Sequence, residues 1–499
     1  MAERRVRRAM LAALLSVVGI GVHASARAAE AQTYYVREDG GPAAQCDGRH
    51  DAPFSGKGHA CAWWHPFEAL PPGGPARIAG GDTLVIAAGS YRMGRGARST
   101  KDLEKCRADW PWDCHLAPLP SGPSAERPTR LLGAGWNQGC KSPPQLWGTE
   151  RAGTILDLSG SAHVRVACLD ITDHSSCIEF HGGKRQVERC ERDHEPFGDW
   201  AGVGVSATAS SDVILTDVAV HGLAHDGFRV GGVSDWTLER VRIVGNGWSG
   251  WNGDLDDKSN NTGKLVFRDV EIAWNGCAER YPGGEHVGCW GQQEGGYGDG
   301  LGVGETGGDW LFERVNVHHN TQDGIDLWHA RADTRITLRD VHAEANAGNQ
   351  IKLTGSAQVE HSTLIGNCAA MAGQGSLEPG DLCRANGNTL ALNLPAGARA
   401  DVESNEIRGE GDCLIQLTCA GSGCQKATGK IHDNRLIGST RRDGTGMPKP
   451  PCSVWVEPEL RGAALDYEKN RQSGTRTLGC PSGISNCAGN GWSLGEGVE

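Results

Sequence analysis

Three aspartates and one lysine are the residues of this chain whose types and spacing best suit catalysis. Asp299, Asp323 and Asp326 lie in two similar Gly-containing segments, and Lys352 lies in a third segment of the same kind. Carboxylates held close together can bind a cation, and a pair of them can act as acid and base. A lysine near such a cation is pushed toward its neutral form, in which it can accept a proton. This chemistry requires elements that bring the segments side by side.

A strand-like unit repeats through the middle of the chain. In each unit polar and apolar residues alternate around a central valine, and these valines are Val218, Val241, Val270, Val315 and Val341. Alternation with a period of two predicts β-strands. Most intervals between the valines are in the twenties, which is typical of a solenoid whose coils stack on one another. We therefore predict an all-β chain that forms a parallel β-helix.

A second short strand follows each valine and carries one outward polar position. That position holds Arg229, Asn252, Asp326 and Lys352 in different coils. The apolar residue before each of them is expected to point inward, because side chains alternate along a strand. Adjacent parallel strands lie about 4.8 Å apart. Asp326 and Lys352 are therefore predicted to lie side by side on one outer face.

The longest interval, of 45 residues, indicates an insertion in one coil. We predict a disulfide-stapled loop that projects beside Asp299 and forms one wall of a groove. The residues of this loop on which the prediction depends are Cys277, Cys289 and Trp290.

The chain divides into four predicted regions. Residues 1–28 have an arginine-rich start, an apolar stretch and small residues at a cleavage position, which is typical of a signal peptide. Residues 29–160 are interpreted as an N-terminal cap with the first coils, and residues 161–450 as the β-helix with its groove. Residues 451–499 lack the strand repeat and are expected to form a C-terminal tail or cap. A secreted or periplasmic protein follows from the signal peptide.

Composition excludes several classes of protein. The chain has 49 Lys+Arg against 61 Asp+Glu, a net charge of −12, which gives no electrostatic basis for binding nucleic acid. A hydrophobic fraction of 38% excludes an integral membrane protein, so no membrane insertion is expected. The 73 glycines are spread without a three-residue period, as in a turn-rich β-protein. We expect a monomer.

The eighteen cysteines of an exported chain are expected to form disulfides. Zinc binding by Cys413, Cys419 and Cys424 is the less favoured interpretation, because their spacing fits no common zinc finger. The pairs that lie close in sequence are Cys46 and Cys61, Cys106 and Cys114, Cys277 and Cys289, Cys368 and Cys383, and Cys480 and Cys487.

Two motifs together resemble a known enzyme family. The segment from Gln322 to Trp328, followed by the segment from Gly348 to Leu353, is similar to the paired signature of the family 9 polysaccharide lyases. The sequence around Asp299 resembles a third element of that signature. Members of this family are pectate lyases with a right-handed parallel β-helix. The resemblance implies a calcium-dependent lyase that cleaves an acidic, uronate-containing polysaccharide by β-elimination.

The resemblance also implies roles for individual residues. Asp299, Asp323 and Asp326 match calcium ligands, and Lys352 matches the catalytic base. Gln322 stands where the family usually has an aspartate, and its amide oxygen can still bind calcium, with lower affinity. Calcium would neutralise the substrate carboxylate and stabilise the enolate-like intermediate, while the base removes the C5 proton. The residue set thus suits β-elimination.

Substrate contacts are predicted for five further residues. Arg229 can bind a sugar carboxylate through two parallel hydrogen bonds. Asn252 occupies the same outward position in the next coil, so the two residues belong to one column along the outer face. Trp251 and Trp290 are candidates for stacking against sugar rings, and His329 follows the Asp326 segment. We expect these side chains to border the groove.

Other functions fit the same residues. A uronate C5-epimerase begins with the same proton abstraction, and His318, His319 or His329 could supply its acid. A glycoside hydrolase could use Asp323 and Asp326 as its two carboxylates. A non-catalytic exported solenoid could present the same face as a carbohydrate-binding surface. A lyase differs from all of these in producing an unsaturated uronate that absorbs ultraviolet light.

Overall fold

Strands account for almost all of the regular structure in the computed structural model. It describes residues 30–179, 190, 197–290, 298–371, 387–442, 448–476 and 492–494, so the predicted signal peptide and Cys383, Cys480 and Cys487 lie outside the described residues. Within these ranges the one α-helix, α1, spans Pro66–Ala69, and 3-10 turns span Glu104–Cys106, Pro111–Asp113, Cys368–Met371, Cys424–Lys426 and Pro458–Leu460. The strands in chain order are β1 Thr33–Gly41, β2 Thr83–Ile86, β3 Ser90–Met93, β4 Thr129–Gly133, β5 Gln145–Gly148, β6 Ala152–Asp157, β7 Ala162–Asp173, β8 Ala201–Thr208, β9 Ser211–His221, β10 Phe228–Gly231, β11 Ser234–Glu239, β12 Arg242–Val244, β13 Trp251–Lys258, β14 Thr262–Arg268, β15 Glu271–Ala273, β16 Ala278–Arg280, β17 Glu285–Val287, β18 Leu301–Glu305, β19 Asp309–Glu313, β20 Asn316–His318, β21 Ile325–Leu327, β22 Arg335–Arg339, β23 His342–Glu344, β24 Ile351–Thr354, β25 Ser356–Glu360, β26 Thr363–Gly366, β27 Leu390–Leu394, β28 Arg399–Glu403, β29 Glu406–Gly409, β30 Cys413–Cys419, β31 Thr428–His432, β32 Arg435–Gly438, β33 Arg441–Arg442, β34 Pro448–Lys449, β35 Cys452–Val456, β36 Ala464–Glu468, β37 Arg471–Ser473 and β38 Trp492–Leu494.

Strands of successive coils pair in parallel and form three ladders. Ladder 1 runs β1–β2–β4–β7–β9–β11–β14–β19–β22–β25–β28–β31–β36. Ladder 2 runs β3–β5–β7–β9–β12–β15–β20–β23–β26–β29–β32–β37. Ladder 3 runs β6–β8–β10–β13–β18–β21–β24–β27–β30–β35–β38. The long strands β7 and β9 belong to both ladder 1 and ladder 2. The parallel β-helix predicted from the repeat is confirmed.

Ladder 3 has the register that the repeat predicts. Asp326 pairs with Lys352 on the neighbouring strand, and Arg229 pairs with Asn252. Ile325, directly before Asp326, is fully buried. The alternation of inward apolar and outward polar positions therefore fixes which side chains reach the outer face.

The C-terminal region continues the ladders beyond Cys452. Strands β35, β36 and β37 pair in parallel with β30, β31 and β32. The expectation that the strand repeat ends there is wrong. Val454 and Val456 in β35, and Leu465 and Tyr467 in β36, alternate with more exposed residues and supply the inward side chains that a coil needs.

Inward side chains stack in rows along the β-helix. Ile325, Ile351, Leu390 and Ile415 occupy paired positions on four consecutive strands of ladder 3, and all four are fully buried. Burial of one such side chain stabilises the fold by about 1.5–3 kcal/mol. These rows hold the coils together and fix the outer face on which Asp326 and Lys352 lie.

A row of buried asparagines lines one turn of the coils, and we call it the asparagine ladder. It consists of Asn246, Asn275, Asn320 and Asn346, and each of the first three donates through Nδ2 to the Oδ1 of the next. The Nδ2 groups also donate to backbone carbonyls of neighbouring strands. The ladder satisfies polar groups that would otherwise be buried without partners.

Among the described residues, seven disulfides staple loops and coils. Three of the pairs that lie close in sequence are bonded to each other, namely Cys46–Cys61, Cys106–Cys114 and Cys277–Cys289. The zinc interpretation is excluded, because Cys413 bonds to Cys452 and Cys419 bonds to Cys424. The others are Cys140–Cys168 and Cys177–Cys190. Disulfides of this number are typical of an oxidising compartment.

Within the described ranges, no helix has the length and apolar character needed to span a membrane.

Candidate functional site

Lys352 lies between two aspartates on the outer face of ladder 3. Its Nζ donates to Asp326 Oδ2 at 2.7 Å and to Asp323 Oδ2 at 3.1 Å. Lys352 belongs to β24 and Asp326 to the adjacent β21, while Asp323 ends the turn that leads into β21. The side chains are mostly buried, with 24% of Lys352, 8% of Asp323 and 14% of Asp326 exposed. We call these residues, together with Asp299, the lysine–aspartate cluster.

Backbone groups fix both carboxylates that contact Lys352, those of Asp323 and Asp326. Asp326 Oδ1 accepts from the backbone N–H of Trp328 at 2.8 Å. Asp323 Oδ1 accepts from the backbone N–H of Asn349 at 2.5 Å and from its Nδ2 at 2.9 Å. A Cβ atom at Gly348 would lie 2.1 Å from Asp323 Oδ1, so this position requires glycine. The next coil therefore positions the Asp323 carboxylate, and the backbone after β21 positions that of Asp326.

Asp299 lies beside Asp323 and Asp326, in the preceding coil. Its Oδ1 accepts from the backbone N–H of Asp323 at 2.9 Å, and its side chain is buried. Burial, together with repulsion from Asp323 and Asp326, raises the pKa of Asp299 well above its ordinary value. Three carboxylates in adjacent coils thus favour a positive charge at their centre.

Lys352 supplies that positive charge. Burial disfavours its ammonium form, but the negative charges of Asp323 and Asp326 outweigh burial and raise the pKa of Lys352 above its ordinary value. Burial also raises the pKa of Asp326, against the effect of Lys352. The Trp328 ring centroid lies 5.5 Å from Lys352 Nζ, within cation–π range.

The four predicted calcium ligands match calcium in chemical type, but Lys352 contacts two of them. Carboxylate and amide oxygens are the ligands that calcium prefers. Here, however, the Lys352 ammonium takes the position between Asp323 and Asp326. No hydrogen bond joins the buried Gln322 side chain to Asp299, Asp323 or Asp326 in the described part of the chain. Among the residues described, no three His, Cys, Asp or Glu side chains form a group that could hold a metal ion. A calcium site therefore stays a prediction, and it requires Lys352 to leave its two carboxylates.

Arg229 and Asn252 occupy the column that leads toward Asp326. Paired positions on consecutive strands run from Arg229 through Asn252 and Gly302 to Asp326. Arg229 is exposed and forms no hydrogen bond or ion pair within the described residues. Asn252 Nδ2 donates to Asp226 Oδ2 at 3.1 Å, so its amide holds a neighbouring carboxylate. A substrate contact by either residue stays a prediction.

The prediction that Trp251 stacks on substrate is wrong. Trp251 is fully buried, and its ring stacks on Phe228 with centroids 5.5 Å apart. It occupies the inward position directly before Asn252, so the alternation of β13 turns it into the core. A side chain in this place stabilises the stack of coils and does not reach a ligand on the outer face.

Trp290 and His329 have different surroundings. Trp290 is half-buried, packs near Ile178, Trp248 and Ala278, and donates from Nε1 to Gly247 O at 3.2 Å. The insertion that precedes it forms the antiparallel hairpin β16–β17 inside the Cys277–Cys289 disulfide. His329 is exposed just after β21. Contacts of either side chain with substrate stay predictions.

Sequence reasoning identified Arg229 but missed the polar residues that surround it. Arg151, Glu179, His225 and Arg229 line a cavity of about 170 Å³ on the outer face of ladder 3. Arg151 and Glu179 come from segments without the valine-centred repeat, and His225 lies in a turn. The pair His225 and Asp226, directly before β10, was the one sequence signal that could have drawn attention to this cavity.

Comparisons with known proteins find similarity at the level of fold. No family model matches the chain, and no curated protein matches it, so family 9 membership stays a prediction. A crystal structure of pectate lyase Pel9A is 12% identical, with a TM-score of 0.40 over 88% of this chain and 79% of that chain. A rhamnogalacturonan lyase is 12% identical, with a TM-score of 0.36 over 94% and 88% of the two chains. The A-module of the Azotobacter vinelandii mannuronan C-5 epimerase AlgE6 is 13% identical, with a TM-score of 0.35 over 80% and 91%.

Proposed function

We propose that this protein is a secreted, calcium-dependent lyase that cleaves an acidic, uronate-containing polysaccharide by β-elimination. One observation carries the proposal: Lys352 is held between Asp323 and Asp326 on an outer face built from regularly stacked strands. A lysine that can serve as base and carboxylates that can hold a cation, placed on neighbouring coils, are the groups that proton abstraction next to a substrate carboxylate requires. The residue types in the cluster and their proximity both suit this reaction.

The lysine would act on the C5 proton of a uronate. Lys352 Nζ accepts this proton, and the C5–H electron pair forms the double bond between C4 and C5. The C4–O bond then breaks, and the leaving oxygen is protonated by water. The amine can accept a proton only after its ion pairs with Asp323 and Asp326 are lost, because those pairs favour the ammonium form.

Calcium, when bound, would neutralise the substrate carboxylate and so increase the acidity of the C5 proton. Asp299, Asp323 and Asp326 are the residues that would hold it, with Gln322 as the amide donor of the predicted set. The mutual repulsion of three neighbouring carboxylates supports this assignment, since a divalent cation relieves it.

A panel of uronate polymers tests the proposal. The full exported chain is incubated with each polymer, with calcium and with a chelator, and ultraviolet absorbance is recorded. We expect absorbance from an unsaturated uronate in the presence of calcium and its loss in Lys352→Ala. Lys430→Ala, an exposed lysine of ladder 1, is the matched control.

Other outcomes would contradict the proposed reaction in distinguishable ways. New reducing ends without absorbance would indicate a hydrolase. Exchange of the C5 hydrogen with solvent, without chain cleavage, would indicate an epimerase. Binding of the polymer with none of these changes would indicate a non-catalytic carbohydrate-binding protein.

A further inference from the structure

A small cavity lies on the same outer face as the lysine–aspartate cluster, several strands away from it. Its polar lining consists of Arg151, Glu179, His225 and Arg229, and its volume is about 170 Å³. Arg229 stands in the column that continues to Lys352. Four strand spacings separate Arg229 from Lys352, roughly 19 Å at the usual strand separation. A single extended ligand could therefore contact both places.

His225 is held in one orientation by a buried carboxylate. Its Nδ1 lies 2.8 Å from Asp226 Oδ2, and the Asp226 side chain is completely buried. Asp226 also accepts from the Ser249 backbone N–H and from Asn252 Nδ2. With Nδ1–H donated to Asp226, the Nε2 of a neutral His225 is an acceptor. In the described part of the chain no protein group uses that Nε2.

The His225 ring also has a fixed plane. It stacks on Trp248 with ring centroids 3.5 Å apart, and Trp248 Nε1 donates to the backbone carbonyl of Glu179 at 2.9 Å. This links the imidazole to the segment that forms another wall of the cavity. The acceptor atom is therefore preorganised, and a ligand would not have to order it.

Two arginines with different roles complete the cavity. Arg151 donates from Nη2 to Glu179 Oε1 at 3.1 Å, and its guanidinium lies over the Trp112 and Trp200 rings. This ion pair balances the charge of Glu179. Arg229 is exposed and without an ion pair or hydrogen bond among the described residues, so its charge is available. A guanidinium in this state suits a carboxylate, which it can bind through two parallel hydrogen bonds.

We propose that this cavity is a distal subsite for an acidic sugar of the same polysaccharide chain that reaches Lys352, an inference that rests on the proposed function. Arg229 binds the sugar carboxylate, and His225 Nε2 accepts a hydrogen bond from a sugar hydroxyl. The chain then lies across the strands of ladder 3, along the stacking direction of the coils. Because several sugar units are needed to span the distance, the subsite gives the protein a preference for long chains.

Chain-length dependence in the Arg229→Ala variant tests the subsite. For the polymer we expect KM to rise about tenfold with little change in kcat, which corresponds to about 1.4 kcal/mol of lost binding. For the shortest cleavable oligosaccharide we expect no change in KM, because it does not reach Arg229. Arg335→Ala, an exposed arginine of ladder 1, serves as the control. An unchanged KM for the polymer, or an equal rise for short and long substrates, would overturn the subsite.

Two further measurements separate the subsite from the proposed reaction. Binding of uronate hexasaccharides and tetrasaccharides is measured by calorimetry, without turnover, to the full chain and to Arg229→Ala. If no cleavage occurs but Arg229→Ala still loses affinity, the subsite stands and the proposed reaction fails. If cleavage occurs and Arg229→Ala binds normally, the subsite alone fails.

The chemistry assigned to each residue has its own test. A polymer whose carboxylates have been reduced to alcohols should bind wild type and Arg229→Ala equally. His225→Phe keeps an aromatic ring against Trp248 but removes both ring nitrogens. We expect weaker polymer binding together with lower thermal stability, because the buried Asp226 carboxylate also loses its Nδ1–H partner. A variant that binds the unreduced polymer as tightly as wild type would remove His225 from the subsite.

Discussion

Lys352 Nζ and Asp326 Oδ2 lie 2.7 Å apart across two adjacent strands of ladder 3. The strand register brings the two side chains together, since the two residues occupy paired positions and point to the same side. This ion pair keeps Lys352 in its ammonium form and keeps the Asp326 carboxylate bound to that ammonium group. Any function that needs a free amine or a free carboxylate must therefore first separate the two.

Lys352 is expected to be required for turnover. Lys352→Ala should reduce the rate of polymer cleavage to background while leaving polymer affinity nearly unchanged, because a proton acceptor acts in the transition state. Lys352→Arg should also be inactive, since a guanidinium stays protonated at any working pH. Initial rates from ultraviolet absorbance, with affinities from calorimetry, check both variants. Full activity in either variant would remove Lys352 from the role of base.

Asp326 is expected to contribute to calcium binding. Replacing it by asparagine removes one negative charge from the set of oxygen ligands, and we expect calcium affinity to fall by about tenfold or more. Titration of calcium into the polymer-free protein measures this directly. Asp401→Asn, a change on the outer side of ladder 1, is the matched control. Equal affinity in Asp326→Asn and wild type would mean that the ion binds elsewhere.

Gly348 should be intolerant of even one extra methyl group. A Cβ at this position would lie 2.1 Å from Asp323 Oδ1, so Gly348→Ala must displace the carboxylate or the backbone of the next coil. We expect a loss of about 1–3 kcal/mol in the free energy of unfolding and a large loss of activity. Urea denaturation and cleavage rates measure the two effects. Gly283→Ala, whose Cβ would meet its nearest neighbour at 3.7 Å, should change neither.

His221 should make stability depend on pH above neutrality. Its Nε2 lies 2.8 Å from Asp170, and its Nδ1 lies 2.9 Å from Glu279 of the inserted hairpin. Burial opposes the charge of His221, but these hydrogen bonds outweigh burial and raise its pKa to about 10. Because the folded-state pKa exceeds the unfolded value of about 6.5, the stabilisation is complete below pH 6.5 and is lost as pH rises through 10.

The His221→Gln variant measures this contribution. The free energy of unfolding of wild type should exceed that of the variant by about 1.5–3 kcal/mol at pH 6, and the difference should shrink toward zero above pH 10. Denaturation curves of both proteins at several pH values provide the comparison. A difference that grows with pH, or that does not depend on pH, would contradict the assigned charge.

The fold and the main contact of the site were predictable from sequence because they depend on periodicity. Alternation with a period of two fixed the outward direction of Asp326 and Lys352, and their equal spacing from Val315 and Val341 fixed their pairing. The same rule places Trp251 inward. The prediction that Trp251 stacks on substrate was wrong because it relied on the residue type rather than on the position in the strand. Burial of a tryptophan follows from its place in the strand.

The distal cavity depends on information that periodicity does not contain. His225 lies in a turn, where direction is set by backbone conformation and by the Asp226 carboxylate rather than by a repeat. Arg151 and Glu179 come from different coils and meet Arg229 only after the β-helix has wound. Contacts of this kind depend on the three-dimensional path of irregular segments, which the spacing of residues does not encode.

The asparagine ladder links the stability of one coil to that of its neighbours. Asn320 Nδ2 donates to Asn346 and to the Ile272 carbonyl, and its Oδ1 accepts from the side chain and the backbone N–H of Asn275, so loss of the side chain removes four buried hydrogen bonds. An isolated coil cannot open without breaking hydrogen bonds on both sides. The coils that present Asp299 and Asp323 should therefore exchange their backbone amide hydrogens with solvent in a single cooperative event, with one shared opening free energy.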